Sequence, residues 1–325
     1  MDRPKLYYMN NNIFDQEIHN KILVAISGGQ DSLYLIKFIQ DYKNDYQIIK
    51  RKTIYISYIY IDHQWRRDSY KHIKHIANYI KSFNENFYIY QLNENIISES
   101  ISRIYRYNII LKHAIRNGYQ HIITGHNKTD KIETFLHNFI RGNGIEGLTT
   151  LVSQIKVNNN IQLLRPLLNI NRENIYWICK KFYLPIWSDT TNYIYSLSRN
   201  RIRNELIPYL KKYFHQNIEN NINYLLNNYY NHHEYIKQST MKLYLNSIHK
   251  NHMALNHVQL TKQHFILQFK TIQLFCIHNI NINIKHKIIT KLIIHMNQKA
   301  SKVYLRINLK YITLHVNNKW IYMTL

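Results

Sequence analysis

The first 140 residues alternate between short apolar segments typical of β-strands and amphipathic segments typical of α-helices. The strand patterns cover residues 21–27, 53–62, 87–92 and 121–126, and the helix patterns cover 33–42, 68–83, 98–117 and 129–140. This βαβα alternation predicts an α/β fold with a doubly wound parallel sheet. Ligands on such sheets bind beyond the carboxyl ends of the strands, which here are Ser27, Asp62 and His126.

The character of the chain changes near residue 206. All seven glycines lie between Gly28 and Gly147, so tight-turn backbone is concentrated in the first half. Residues 206–250 have helical patterns, and the last segment alternates apolar and polar residues around an Asn-Asn turn. We therefore predict an N-terminal extension at 1–20, a catalytic domain at 21–205, and a mostly helical basic domain at 206–325 that ends in a β-hairpin.

The chain carries 43 Lys and Arg residues against 19 Asp and Glu residues, a net charge of +24. This excess predicts an anionic partner, and nucleic acid is the first candidate. A basic surface that serves only solubility is the alternative. No apolar run approaches the ~20 residues of a membrane span, so no membrane partner is expected. The two cysteines form no CxxC pair and favour neither a disulfide scaffold nor a cysteine metal site.

The composition also bears on where the protein is made. Tyr, Ile, Asn and Lys are abundant, whereas glycine and proline are scarce, as expected of an AT-rich genome. The first twenty residues have no apolar signal core and contain acidic residues, which transit peptides mostly lack. These features predict an organelle-encoded protein of the plastid (chloroplast) stroma, with a bacterial-type cytoplasm as the alternative.

The turn between the first strand and the first helix predicts an anion site. A Gly-Gly turn at this place directs backbone N–H groups and the positive helix end toward one point. Ser27 and Ser32 can donate hydrogen bonds to phosphate oxygens, and Asp31 can bind the Mg²⁺ that screens the phosphate charge. An ordinary strand–helix turn is the alternative. The segment lacks the Walker and GxGxxG patterns, and its residues are Ser27, Gly28, Gly29, Gln30, Asp31 and Ser32.

This segment resembles the SGGxDS loop of the N-type ATP pyrophosphatases, or PP-loop family, which cleave ATP between its α- and β-phosphates. Within that group the chain is similar to the tRNA(Ile)-lysidine synthetases over about residues 21–210. The further matching blocks, in the family's order, are YIDHQWR (60–66), ESISRIYRY (99–107), TGHNKTDKIETFLHNFIRGNGIEGL (124–148), LLRPLL (163–168), WSDTTN (187–192) and RNRIRNELIPYL (199–210).

The resemblance implies a ligase that forms lysidine on a tRNA(Ile) with a CAU anticodon. In that reaction ATP adenylates the C2 oxygen of the wobble cytidine and pyrophosphate leaves. The ε-amine of L-lysine then attacks C2, AMP leaves, and decoding changes from AUG to AUA. ATP, Mg²⁺, L-lysine and the tRNA are therefore the expected ligands, and the basic domain at 206–325 is expected to bind the tRNA. A homodimer is the assembly that the family often adopts.

The matching motifs also imply roles for individual residues. Residues 27–32 would bind ATP, and Asp31 and Asp130 would hold Mg²⁺. The candidates for catalysis are Asp31, Asp62, His63, His126 and Asp130, and the last four are the candidates for removal of the lysine proton. The candidates for binding lysine or tRNA are Arg103, Arg106, Glu133, Arg141, Arg199, Arg201 and Arg203. The chain departs from the family's pattern at Asn127 and Thr129, where a second His and a second Asp are frequent.

Two other functions are compatible with a PP-loop. A tRNA thiolase uses the same loop, but its chemistry usually needs paired cysteines, which this chain lacks. A non-catalytic RNA-binding protein on the same fold is the other alternative. The intact SGGxDS segment argues against it, because drift in an AT-rich genome would erode the glycines.

Overall fold

The computed structural model describes residues 21–51, 53–62, 69–92, 99–186, 198–298, 305–309, 312–317 and 319–324. The chain forms two compact units, the first ending at Leu226 and the second beginning at Asn227. None of the described helices has both the length and the apolar character needed to cross a membrane. The predicted N-terminal extension, residues 1–20, lies outside the described residues.

The first unit contains a sheet, the helices that connect its strands, and a further helical region. Its strands are β1 (Lys21–Ile26), β2 (Tyr55–Asp62), β3 (Asn86–Gln91), β4 (His121–Thr124), β5 (Gln154–Lys156) and β6 (Gln162–Leu164). Its helices are α1 (Gln30–Lys50), α2 (Ser69–Lys81), α3 (Glu99–Arg116), α4 (Lys128–Ile140), α5 (Ile145–Leu148), α6 (Arg172–Lys181), α7 (Ser198–Arg201) and α8 (Ile207–Tyr213). A 3₁₀ turn (Pro166–Asn169) precedes α6, and a π-helical turn (Ile202–Leu206) joins α7 to α8.

The sheet has the strand order β3-β2-β1-β4-β6-β5, and its strands are parallel except for β5. The prediction of a doubly wound parallel sheet is therefore confirmed. Central strand β1 is buried on both faces: Ile22 and Val24 belong to one apolar cluster and Leu23 to another. Strand order reverses between β1 and β4, which opens a crevice at their carboxyl ends.

Helix α1 is longer than the pattern predicted. It runs from Gln30 to Lys50 rather than from 33 to 42, and it ends at Arg51 in the left-handed conformation. The segment after residue 42 contains neither glycine nor proline, so nothing in its backbone chemistry stops the helix. The other predicted strands and helices of the first 140 residues agree with the observed bounds to within two residues at each end.

A long helix, α9 (Ile218–Ser247), contains the boundary between the two units. Its first residues pack inside the first unit, where Leu226 is buried in one apolar cluster with Phe135 of α4 and with Ile202 and Ile207. The compact unit thus extends beyond residue 205, the end of the predicted catalytic domain. The tRNA-binding role predicted for residues 206–325 remains a prediction.

The second unit combines helices with an antiparallel sheet. Its further elements are β7 (Ala254–Asn256), α10 (His257–Leu260), α11 (Phe265–Ile280), α12 (His286–Asn297), β8 (Leu305–Leu309), β9 (Ile312–Val316) and β10 (Trp320–Thr324). The predicted terminal hairpin is present as β9 and β10, with Asn317 Oδ1 accepting from the N–H groups of Lys319 and Trp320. The sheet has the order β7-β10-β9-β8. Strand β7 was not predicted, and the alternating segment before the Asn-Asn turn forms two strands, β8 and β9, rather than one.

The turn from β1 to α1 passes unusually close to α2. Gly28 has φ +81°, a conformation that favours glycine. A Cβ atom at this position would lie 2.3 Å from His72 Cε1 and 2.4 Å from Ile76 Cδ1. His72 Nε2 also lies 3.3 Å from the Gly28 carbonyl oxygen. Both backbone conformation and space therefore require glycine here.

We predict that Gly28→Ala lowers the free energy of unfolding by about 2–4 kcal/mol, because it combines an unfavourable φ with overpacking against α2. Urea denaturation followed by circular dichroism measures this loss. The matched control is Gly144→Ala, where φ is −69° and, among the residues that the structure describes, only the chain neighbours come within 4 Å of the added Cβ. Equal losses in the two variants would show that the contact with α2 does not constrain the turn.

Candidate active site

A cavity of about 340 Å³ opens at the carboxyl ends of β1 and β4, where the strand order reverses. It brings together residues that are distant in sequence, and most of them are polar. Its polar lining residues are Ser27, Asp31, Ser32, Arg103, Arg106, Tyr107, Thr124, His126, Asp130, Glu133, Thr134, Arg199, Asn200 and Arg203. The predicted ATP loop, the α3 arginines and the α4 carboxylates therefore meet at one site.

Hydrogen bonding between Ser27 and Ser32 stabilises the loop that precedes and begins α1. Ser32 Oγ accepts from the Ser27 N–H at 2.9 Å, and the two hydroxyl oxygens are 3.0 Å apart. Gly29 is the N-cap of α1, and apart from its chain neighbours no described residue has an atom within 4 Å of the place where its Cβ would be. The open space beside Gly29 and the positive end of α1 together suit a phosphate group.

Asp31 has the environment of a residue that binds a cation. Burial raises the pKa of its carboxyl group, and the nearby charge of Asp130 raises it further. Asp31 Oδ1 is buried and has no hydrogen-bond partner among the described residues. An unpartnered buried carboxylate oxygen fits Mg²⁺, which binds proteins through one or two carboxylates and takes its other ligands from phosphates and water. No group of three Asp, Glu, His or Cys side chains in the described part of the chain has metal-binding geometry.

Asp130 is held at both of its carboxylate oxygens. It forms a capping box at the start of α4: Asn127 Oδ1 accepts from the Asp130 N–H, and Asp130 Oδ2 accepts from the Asn127 N–H, both at 3.0 Å. Its other oxygen, Oδ1, accepts from Arg203 Nη2 at 3.1 Å. Asn127, where the chain departs from the family's pattern, therefore serves as the N-cap of α4, a position that asparagine suits well.

Arg203 connects the carboxylates of α4 to the π-helical turn. Its Nη2 donates to Glu133 Oε2 at 2.9 Å, and its Nε donates to Glu133 Oε1, which makes a bidentate pair. Glu133 is only 2% exposed, and burial raises the pKa of its carboxyl group even though Arg203 acts in the opposite direction. Two predicted substrate-binding residues are thus paired with each other in the cavity wall, and their contact with tRNA or lysine remains a prediction.

His126 lies among several arginines. Its Nδ1 is 3.0 Å from Thr124 Oγ1. Burial lowers the pKa of its imidazole well below the ordinary value, and the positive charges of Arg165, Arg103 and Arg106 lower it further. His126 is therefore neutral at pH 7, and the positive charge around it suits a polyanion such as a triphosphate.

The remaining predicted residues occupy different places. Arg199 Nη2 donates to Thr134 Oγ1 at 3.3 Å inside the cavity. Asp62, at the end of β2, accepts from Ser69 Oγ at 2.8 Å with both oxygens and does not line the cavity. Arg141 and Arg201 line a separate groove. His63 and the WSDTTN block at 187–192 lie outside the described residues.

Two arginines near the site were not singled out in the sequence. Arg165 is buried, donates from Nη1 to the Val152 carbonyl oxygen at 2.7 Å, and contributes to the low pKa of His126. Arg172 begins α6 and is close enough to Asp31 to oppose the rise in that residue's pKa. Arg165 lies within the LLRPLL block, so the motif itself was the signal, but only the fold brings this arginine to His126.

Comparison with known proteins shows the family to which the chain belongs. A PP-loop domain model matches residues 4–210, and such a domain implies ATP binding. A chloroplastic tRNA(Ile)-lysidine synthase of Gracilaria tenuistipitata var. liui is 47% identical over 303 residues, which cover 93% of this chain and 92% of that protein. One from Pyropia yezoensis is 35% identical over 306 residues, covering 94% of this chain and 90% of that protein.

A solved structure supports the fold alone. The U34-tRNA thiolase NcsA from Methanococcus maripaludis, with its [4Fe-4S] cluster, aligns with a TM-score of 0.54 at 18% identity. The alignment covers 66% of this chain and 73% of the thiolase. The PP-loop match and the two algal relatives decide the family. The chain belongs to the tRNA(Ile)-lysidine synthase family of PP-loop enzymes.

Proposed function

We propose that this enzyme ligates L-lysine to C2 of the wobble cytidine in a tRNA(Ile) with a CAU anticodon, in the plastid stroma. The observation that carries the proposal is the 340 Å³ cavity, in which the loop containing Asp31 faces Arg103, Arg106 and His126. The names of the algal relatives supply the reaction, and chloroplastic relatives favour the plastid.

In the first step the cytidine C2 oxygen attacks the α-phosphorus of ATP, and pyrophosphate leaves. The loop at 27–32 binds the phosphates through Ser27, Ser32 and the N-terminal end of α1. Asp31, with Asp130 beside it, would hold Mg²⁺, and the cation would offset the charge that develops on pyrophosphate. Arg103 and Arg106 lie one helical turn apart on α3 and both line the cavity, so they can converge on one anionic group.

In the second step the ε-amine of lysine attacks C2 of the adenylated base, and AMP leaves. The amine must first lose a proton. Among the described candidates, His126 suits this role best, because it is neutral and lines the cavity. Asp130 is hydrogen-bonded at both oxygens, and Asp62 lies outside the cavity. A bound triphosphate would offset the surrounding arginines and raise the proton affinity of His126.

The cysteines do not favour the thiolase alternative. Cys179 and Cys276 are both buried, and they belong to different compact units. Burial raises the pKa of each thiol to about 12, so neither forms the reactive thiolate at neutral pH. Cys179 Sγ lies behind the ATP loop, 3.6 Å from the Gln30 carbonyl oxygen, where it packs against the backbone.

The second unit is proposed to strengthen tRNA binding. Residues 227–325 contain thirteen Lys and Arg residues and one acidic residue, Glu234, so they carry +12 of the net charge of +24. Phosphate contacts dominate the affinity of proteins for nucleic acids and make it depend on salt.

We expect Asp31→Asn to reduce lysine-dependent pyrophosphate release by at least about 100-fold, because the carboxylate that binds Mg²⁺ is lost. Affinity for tRNA without ATP should stay unchanged. The free energy of unfolding should not fall, because the substitution removes a buried charge that repels Asp130. The measurements are pyrophosphate release, tRNA binding and urea denaturation.

The control for this variant is Asp41→Asn, on the same helix, where Asp41 pairs with Lys37 at 3.0 Å at the surface. It should leave pyrophosphate release within about twofold of the wild type, since surface pairs contribute little. Wild-type turnover in Asp31→Asn would remove Asp31 from the proposed site. A wild-type protein that forms no lysidine from ATP, L-lysine and a CAU-anticodon tRNA would refute the proposed function itself.

We predict that a chain ending at Leu226 retains lysidine formation at saturating tRNA but has a higher KM for tRNA and a weaker dependence of KM on salt. Ending at Leu226 preserves the buried contacts of this residue with α4. Steady-state kinetics at several salt concentrations test the prediction. An unchanged KM and salt dependence would show that the second unit does not bind tRNA.

A further inference from the structure

A second groove, of about 580 Å³, lies beside the active-site cavity within the first unit. The same helices line both: α4 contributes Glu133 and Thr134 to the cavity and His137 and Ile140 to the groove. The region from α7 through the π-helical turn also contributes residues to both, since some of its residues line the cavity and others line the groove. The groove residues used below are His137, Ile140, Arg141, Arg201, Glu205 and Tyr209.

The groove has the chemistry of a site for an unstacked nucleobase. Ile140 and Tyr209 are exposed and provide an apolar surface. The Tyr209 ring is 4.9 Å from the ring of Tyr213 and 5.9 Å from that of Phe214, so an aromatic group flanks the groove. Single-stranded loops of RNA are bound in this way, by bases that stack on aromatic rings and on arginine guanidinium planes.

Hydrogen-bond donors and acceptors both line the same groove. Arg201 Nε donates to Glu205 Oε2 at 3.1 Å, and both side chains are at least half exposed to solvent. The Arg201 guanidinium has five N–H donors, and the Glu205 carboxylate accepts. Together they match the carbonyl, ring-nitrogen and amino groups on the edge of a base. Arg141, at the end of α4, adds a positive charge that suits the sugar-phosphate backbone.

The distance between the two sites suits neighbouring nucleotides. Thr134 lines the cavity and Arg141 lines the groove, and seven residues of α4 span ~10 Å. We propose that the groove holds a base of the anticodon loop that flanks the modified cytidine. This inference rests on the proposed function for the identity of the RNA. It assigns Tyr209, Arg141 and the Arg201–Glu205 pair to selection of that RNA.

A second copy of this chain is a less favourable occupant. A twofold contact would bring each Arg141 and Arg201 toward their symmetry mates, in a chain whose net charge is already +24. An RNA phosphate backbone instead complements these charges. Self-association is therefore one of the outcomes that the experiment distinguishes.

The test measures binding of a fluorescent CAU anticodon stem-loop RNA to the full chain, without ATP or lysine. Tyr209→Ala should weaken binding about tenfold, the loss expected for one stacking ring, whereas Tyr209→Phe should stay within about twofold of the wild type. The control is Tyr55→Ala, an equally exposed tyrosine at the amino end of β2 and thus at the opposite edge of the sheet. Arg141→Gln should weaken binding, and Arg116→Gln, at the end of α3, should not.

RNAs with an abasic nucleotide on either side of the wobble cytidine complete the test. One of these two abasic RNAs should bind the wild type about tenfold more weakly than the intact RNA does. The same abasic RNA and the intact RNA should bind Tyr209→Ala with equal affinity. The proposal would be overturned if the losses of affinity caused by the abasic nucleotide and by Tyr209→Ala were additive. It would also be overturned if Tyr209→Ala bound the intact RNA with wild-type affinity. A Tyr209-dependent increase in mass by light scattering, with unchanged RNA affinity, would assign the groove to self-association instead. Because the assay needs no ligation, failure to form lysidine would refute the proposed function and leave this result standing.

Discussion

The close approach of the Gly28 backbone to α2 is the constraint on which the active site depends. The chain leaves the central strand β1 and must begin α1 immediately, with only Ser27, Gly28 and Gly29 between the two elements. Because Gly28 has no side chain, the turn can lie against His72 and Ile76. This contact fixes where α1 starts. It thereby places Asp31 in the crevice between β1 and β4, and it leaves open space beside Gly29 for a phosphate.

Positive and negative side chains are distributed unevenly in the site, and this distribution suits its proposed ligands. The two α4 carboxylates share one cation, since Arg203 pairs with both Glu133 and Asp130. Burial lowers the pKa of His126, and the positive charges of Arg165, Arg103 and Arg106 lower it further. Asp31 retains a buried oxygen that has no hydrogen-bond partner within the described part of the chain. An arrangement of this kind favours a polyanion together with a cation, which is the combination that Mg²⁺ and ATP provide.

The sequence motifs predicted the composition of the site better than its internal contacts. Several predicted site residues do line one cavity, namely Ser27, Asp31, Ser32, Arg103, Arg106, His126, Asp130 and Glu133. The pairing of Arg203 with Glu133 was not predicted, because the two residues are seventy positions apart and a motif gives no side-chain geometry. Arg141 and Arg201 were grouped with the other arginines by residue type. In the structure both arginines line the second groove rather than the active-site cavity.

The sequence by itself determined the α/β class, the strand and helix order of the first half, and the Gly-Gly turn, because periodicity and glycine chemistry are local properties of the chain. It did not determine where α1 ends, since propensity gave no stop signal before Arg51. It also did not reveal the pairing of β7 with β10, which joins residues more than sixty positions apart. The tertiary structure decided which charges face each other across the cavity. Burial and the distances between elements control pKa values and ion pairs, and both arise only when the sheet and helices have packed.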